Sequence, residues 1–383
     1  MVSNRKTFNL FSISEARNVI FGIATLWIGL FHCDNLTLAT FTDNQFLIDA
    51  FKFFRGSGNI GVDMFLFLSG IGLYFSFKKD SNLLHFWKKR LMRVLPTALF
   101  IAMFYFSFRY VNGRYESGWK TYLRRVSFLY FFEKGERVFW FISLILVLYL
   151  LFPVFYKVIE KYRLVGMLGL VAVTVGLTFL LRQFAPTFYG YWEIALCRVP
   201  TFIIGIWAGK FVLEKKEINR NWLWLFLIIV IGMSTLMYFY TPIMQSLVKG
   251  YNKSMEAMWI WFYRYTGAVI GIFLVILDSF VCTSLRHKGR CNLLRNFFEF
   301  VGMYSLEYYM IFLNVNHYLE RIYEVQPKHE FMLYLGSFFV SLALCVVVRK
   351  LCDFFMNYMQ RKPKNLAELK AARKAAKLAK KAK

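Results

Sequence analysis

The sequence predicts an all-α integral membrane protein, one bundle of about ten transmembrane helices, and three observations carry that prediction. Hydrophobic residues make up 58% of the 383-residue chain and charged residues only 18%, with a mean hydropathy of +0.45. Ordinary soluble domains are about 45–50% apolar on a broader count that includes glycine. The charges collect between apolar runs of about 20 residues, the length that crosses a bilayer as a helix. The net charge of +26 lies mostly in short loops and in the tail, where positive charge sets orientation. No nucleic-acid-binding signature accompanies it, so nucleic acid is not an expected partner.

The apolar runs fall at 19–38, 58–77, 94–112, 138–156, 164–182, 195–213, 222–240, 260–281, 299–319 and 331–352. Residues 1–18 are a polar N-terminal segment, 19–352 the membrane domain and 353–383 a basic tail. The N-terminus lacks a small-residue cleavage site at signal-peptide distance, so the first span is expected to stay in the mature protein. Ten spans place both termini on one side. Lys78–Arg93, Lys157–Arg163, Lys215–Arg220, Arg286–Arg295 and the tail share that side, which the positive-inside rule makes the cytoplasm. A bacterial plasma membrane is the expected setting.

One loop runs against the rule. Tyr110–Arg137 falls on the far side yet carries Arg114, Lys120, Arg124, Arg125, Lys134 and Arg137. Its aromatics, Trp119 and Tyr122 among them, predict a helix lying in the interface; the sharper reading is a platform for an anionic acceptor. The Ala- and Lys-rich tail reads as a helix on an anionic leaflet or a polybasic end. Six scattered cysteines show neither C-x-x-C nor metal-ligand spacing with histidine, so they read as small buried hydrophobes and no metal is expected.

Ionisable groups within the spans are the functional candidates, because lipid makes them costly. His32 falls about six residues before the outer end of the first span, roughly 9 Å deep at 1.5 Å per residue. Asp63 enters the second span from the same side to a similar depth, roughly 8 Å. A carboxylate beside an imidazole fixes its tautomer and makes it a better general base. The plainer reading is a histidine filling a polar gap between helices. Arg90 and Arg93, three apart on one helical face at the inner surface, can grip phosphate through paired donors or simply anchor the span.

Six segments in series are similar to the acyltransferase-3 family of integral membrane O-acyltransferases. FGIATLWIGLFH (21–32) resembles the first-span motif that ends in the family's essential histidine. GNIGVDMFLFLSG (58–70) resembles G-x-G-V-x-x-F-F-x-x-S-G, and FWKKRLMRVLP (86–96) resembles R-x-x-R-x-x-P. VFWFISLILVLYLLFP (138–153), RVPTFIIGIWAG (198–209) and GMYSLEYYMIF (302–312) follow in the family's order. Two positions depart: Phe21 stands where members often have arginine, with Arg17 one turn earlier, and Phe312 stands where many have histidine. Many members carry an extracytoplasmic domain after the last span; this chain is expected to lack it, so that transfer finishes within the membrane domain.

The resemblance implies an acyl-CoA donor, acetyl-CoA first among them, and a hydroxyl of a glycan or lipid-linked sugar as acceptor. Arg90 and Arg93 would hold the donor's phosphates, His32 would deprotonate the acceptor, and Asp63 would orient the imidazole. Ser69 and Trp140 are candidate oxyanion donors; Arg198 would pair with an acid such as Glu307 or face the acceptor. The rival readings are a transporter or flippase of a glycolipid or anion, with His32 and Asp63 as a proton relay, and an inactive scaffold.

Overall fold

Each predicted apolar run contains helix in the computed structural model, which describes residues 6–33, 36–111, 118–248, 253–287, 292–323 and 330–360. In chain order the helices are α1 (Ser12–Glu15), α2 (Arg17–Phe31), α3 (Gln45–Gly56), α4 (Ile60–Lys79), α5 (Leu83–Val111), α6 (Trp119–Val126), α7 (Tyr130–Lys134) and α8 (Trp140–Phe184). They continue as α9 (Pro186–Leu196), α10 (Val199–Leu213), α11 (Asn221–Val248), α12 (Lys253–His287), α13 (Asn292–Met303), α14 (Ser305–Tyr323) and α15 (Glu330–Gln360). Arg114, Cys291 and the tail beyond Gln360 lie outside the described residues.

Among the described residues, 7 helices are long and apolar enough to cross a bilayer, and the difference from ten has local causes. α8 holds two predicted spans, because the chain turns back at Arg163 (φ 52°, ψ −124°). The fold-back is tight: a Cβ on Gly166 would lie 2.7 Å from the Val158 carbonyl oxygen. The run 299–319 is broken between α13 and α14, and the polar Glu307 and Asn314 sit within α14. α2 is shorter than its apolar run. It stops at Phe31, with His32 as its C-cap and the His32 N–H bonded to the Gly29 carbonyl at 3.1 Å. The histidine therefore stands at the helix end rather than several residues inside it.

α3 is an element the hydropathy pattern does not delimit. Asn44 caps it, its Oδ1 accepting from the Leu47 N–H at 3.3 Å, and Phe46, Leu47 and Phe54 are exposed, as befits a helix in the interface. At the opposite end of the bundle β1 (Thr7–Asn9) pairs antiparallel with β2 (Glu217–Asn219). That ribbon ties the N-terminal segment to the α10–α11 connection, so both lie on one side, as the count of spans requires. The basic loop on the other side is also explained. Arg124 meets Glu133 at 3.3 Å and Arg125 meets Glu136 at 3.2 Å, so part of its charge is compensated within the loop.

Helices close on one another where side chains vanish, as expected in lipid, where close backbone approach drives association. A Cβ on Gly205 would lie 2.3 Å from the Phe67 carbonyl oxygen, and one on Gly70 would lie 2.5 Å from that of Phe202, so α4 and α10 interlock. α2 and α13 do the same through Gly22 against Phe298 (2.0 Å) and Gly302 against Asn18 (1.9 Å). Gly302→Ala is therefore expected to destabilise the protein by about 1–3 kcal/mol, the usual cost of overpacking, read as earlier thermal unfolding in detergent. Gly232→Ala, where a Cβ meets nothing within 4 Å, should unfold with the wild type.

Candidate functional site

One seam of α4 opens on a cavity. Val62, Phe65, Ser69 and Leu73 recur at helical spacing and face a cavity of about 470 Å³ bounded by α2, α5, α8, α13, α14 and α15, within the usual range for ligand pockets. Its end on the N-terminal side is cationic: Arg17 from α2, Arg90 and Arg93 from α5, and Arg349 and Lys350 from α15. Arg90 is 8% exposed, and its Nε has no hydrogen-bond partner. Arg17 lies near enough to Arg90 and Arg93 for the three cations to repel. None of these three makes an ion pair with any described residue. Glu307 and Asp353 also line the cavity, but Glu307 faces Arg349 at 3.6 Å, so this end keeps an excess of positive charge that suits an anion.

Phe21, Phe65, Phe141 and Tyr309 form an aromatic waist in the cavity wall, each ring touching the next. A chamber of about 20 Å³ follows, lined by His32, Thr25 and Tyr308, and it shares Ile28, Phe65, Ser305 and Tyr309 with the larger cavity. That volume holds about one water or one hydroxyl group. α2 makes this arrangement possible: Arg17, Phe21, Thr25, Ile28 and His32 recur every three to four residues and so form one face. The arginine end and the histidine end are thus joined along a single helix.

The structure brings together His32, Ser69, Arg90, Arg93 and Glu307 along this path and leaves Asp63, Trp140 and Arg198 outside it. Asp63 does not orient the imidazole. It lies about 100° round α4 from Val62, where its carboxylate accepts from Thr201 Oγ1 at 3.2 Å and faces Arg198 Nε at 3.7 Å. Arg198, 2% exposed, also donates to the Asn59 carbonyl at 3.3 Å and lies 5.2 Å from the Trp140 ring. The expected Arg198–Glu307 pair is likewise replaced: Glu307 faces Arg349 at 3.6 Å. A second buried pair, Arg264 with Glu193 at 2.9 Å, stands beside the first.

These pairs hold α4, α9, α10 and α12 together, and breaking one leaves a charge stranded. Asp63→Ala is expected to cost about 3–5 kcal/mol, as the loss of one partner of a buried ion pair does, seen as lost folded yield and early unfolding. Removing both charges, in Asp63→Asn with Arg198→Gln, should unfold later than Asp63→Ala alone.

Motif reading missed Ser305, whose side chain stands at the junction of cavity and chamber, although it lies within the segment 302–312. It also passed over Arg349 and Lys350, which look in sequence like ordinary cationic anchors at a helix end. Residues 19–350 match the family model described as an acyltransferase domain. No curated protein and no solved structure matches the chain.

Proposed function

The chain belongs to the acyltransferase-3 family, and from that premise we propose that this membrane acyltransferase takes its acyl group from acyl-CoA, acetyl-CoA first, and passes it to a hydroxyl of a glycan or lipid-linked sugar. The observation that carries the reading is the continuous lining between an anion site of unpaired guanidinium groups and a hydroxyl-sized chamber holding a histidine. The donor's phosphates sit with Arg90, Arg93 and Arg17 at the cytoplasmic end, and its arm runs past the aromatic waist. That brings the thioester toward His32.

There His32 takes the proton from the acceptor hydroxyl as the oxygen bonds to the thioester carbonyl carbon. The tetrahedral oxyanion is met by hydroxyl donors; Ser69 and Ser305 line the cavity for that purpose, whereas the Trp140 indole stacks near Arg198. The oxyanion collapses, the carbon–sulfur bond breaks, and the imidazolium gives its proton to the leaving thiolate. The products are an ester and free CoA thiol, and atoms and charge balance. Asp63 supports this indirectly, by fixing α4 against α10.

The test uses purified protein in liposomes with acyl-labelled acetyl-CoA and a glycan acceptor. Label bound covalently to the acceptor is the expected result. Accumulation of unmodified solute, with no acylated product, would establish the transporter instead.

A further inference from the structure

A second cavity, of about 460 Å³, lies behind α2. Ile23, Leu26, Trp27 and Leu30 face it, and at 3.6 residues per turn they occupy the side of the helix opposite His32 and Arg17. One helix thickness separates the two spaces. The other walls come from α4, α11, α12, Phe298 of α13 and the end of α3, and the lining is apolar apart from the Trp27 indole, Ser57, Ser234 and Asp278. Ser57 is satisfied, donating to the Phe53 carbonyl at 2.8 Å, as is Trp27, whose indole N–H donates to the Phe54 carbonyl at 2.8 Å.

The space is a lengthwise groove. On α12 its wall runs from Ile270 to Asp278, about 12 Å at 1.5 Å per residue, parallel to the spans. One end reaches Phe53 and Phe54, at the α3 end of the bundle. The other is Asp278, and its level is given by Phe280, two residues on, whose ring meets Phe8 of β1 at 5.6 Å. Asp278 therefore lies near the ribbon that marks the N-terminal face. It has no hydrogen bond or ion pair with any described residue, and no charged neighbour acts on it.

We propose that this groove is a lipid site, taking one hydrocarbon chain of an aminophospholipid from the leaflet on the N-terminal side, with the ethanolamine ammonium donating to the Asp278 carboxylate. Apolar walls at membrane depth exclude polar cargo, because unsatisfied polar groups there are costly. An acid without a counter-charge at the polar end calls for a cation from the ligand. The geometry gives the chain its direction: head at the surface, tail along the back of α2. A choline head group has no N–H to donate, and a glycerol head group leaves the lipid net anionic, so neither complements the site. The bound chain braces α2 from the side opposite His32.

Native mass spectrometry of the full chain, released from nanodiscs containing equal ethanolamine, choline and glycerol phospholipids, tests this. The wild type is expected to retain the ethanolamine lipid about tenfold over the choline lipid, the discrimination of a charge-assisted hydrogen bond. Asp278→Asn should reduce that preference to near unity while still retaining a lipid. Ser234→Trp, which fills the groove, should lose the retained lipid whatever its head group; Ile23→Trp serves if that variant fails to fold. Equal retention of the three lipids by the wild type, preference for the glycerol lipid, or undiminished retention by a folded groove-filled variant overturns the proposal.

Discussion

His32→Ala is expected to reduce acyl transfer by about 10²–10⁴-fold, the contribution of a positioned general base, with donor binding unchanged. The closure of α2 does not depend on the imidazole. What closes the end of α2 is the His32 backbone N–H, bonded to the Ile28 and Gly29 carbonyls at 3.3 and 3.1 Å, and alanine keeps that N–H. The anion site lies at the other end of α2, so the Michaelis constant for the donor should hold while turnover falls. Single-turnover transfer of acyl label, measured beside donor affinity, separates the two. An alanine variant that transfers at the wild-type rate would end the general-base assignment, and with it the purpose of the chamber.

The second large effect is at the opposite end. Arg90→Gln combined with Arg93→Gln should weaken donor binding by about 10²–10⁴-fold, since hydrogen bonds to charged groups contribute about 1.5–3 kcal/mol each. Neither arginine forms an ion pair among the described residues, and Glu307, the acid that Arg93 acts on, keeps its partner Arg349 at 3.6 Å, so stability should not fall. The double variant also lessens the crowding of like charge around Arg17. Arg90→Lys keeps the charge but loses the planar fork, and should bind the donor with intermediate affinity. The measurement is the donor's Michaelis constant together with direct binding of the free thiol form. A fall in turnover at unchanged donor affinity would remove the phosphates from this site.

How far the sequence reaches is seen by comparing Arg90 with Asp63. Depth in the membrane follows from counting residues, and helical spacing puts Arg90 and Arg93 on one face. The acids and bases on different helices are another matter. His32 and Asp63 have similar expected depth, yet Asp63 points to α10 because the side of α4 facing the cavity is set by Val62, Phe65, Ser69 and Leu73. That choice depends on which helix packs against which, and one chain's periodicity does not encode it. α3 was hidden for a different reason: its hydrophobic face is an interfacial one, too interrupted by polar residues to register as a span. The turn at Arg163 was legible only as a basic loop, since its reversal rests on one residue's dihedral angles.

The locked crossing of α2 and α13 limits how the protein moves. With Gly22 against the Phe298 carbonyl and Gly302 against that of Asn18, neither helix can slide along its axis by a turn, about 5.4 Å, without driving carbonyl oxygens into backbone. Any movement of the helix bearing His32 therefore carries α13 with it. On the proposed reading, donor and acceptor would then meet at an imidazole carried by a helix pair that keeps its register.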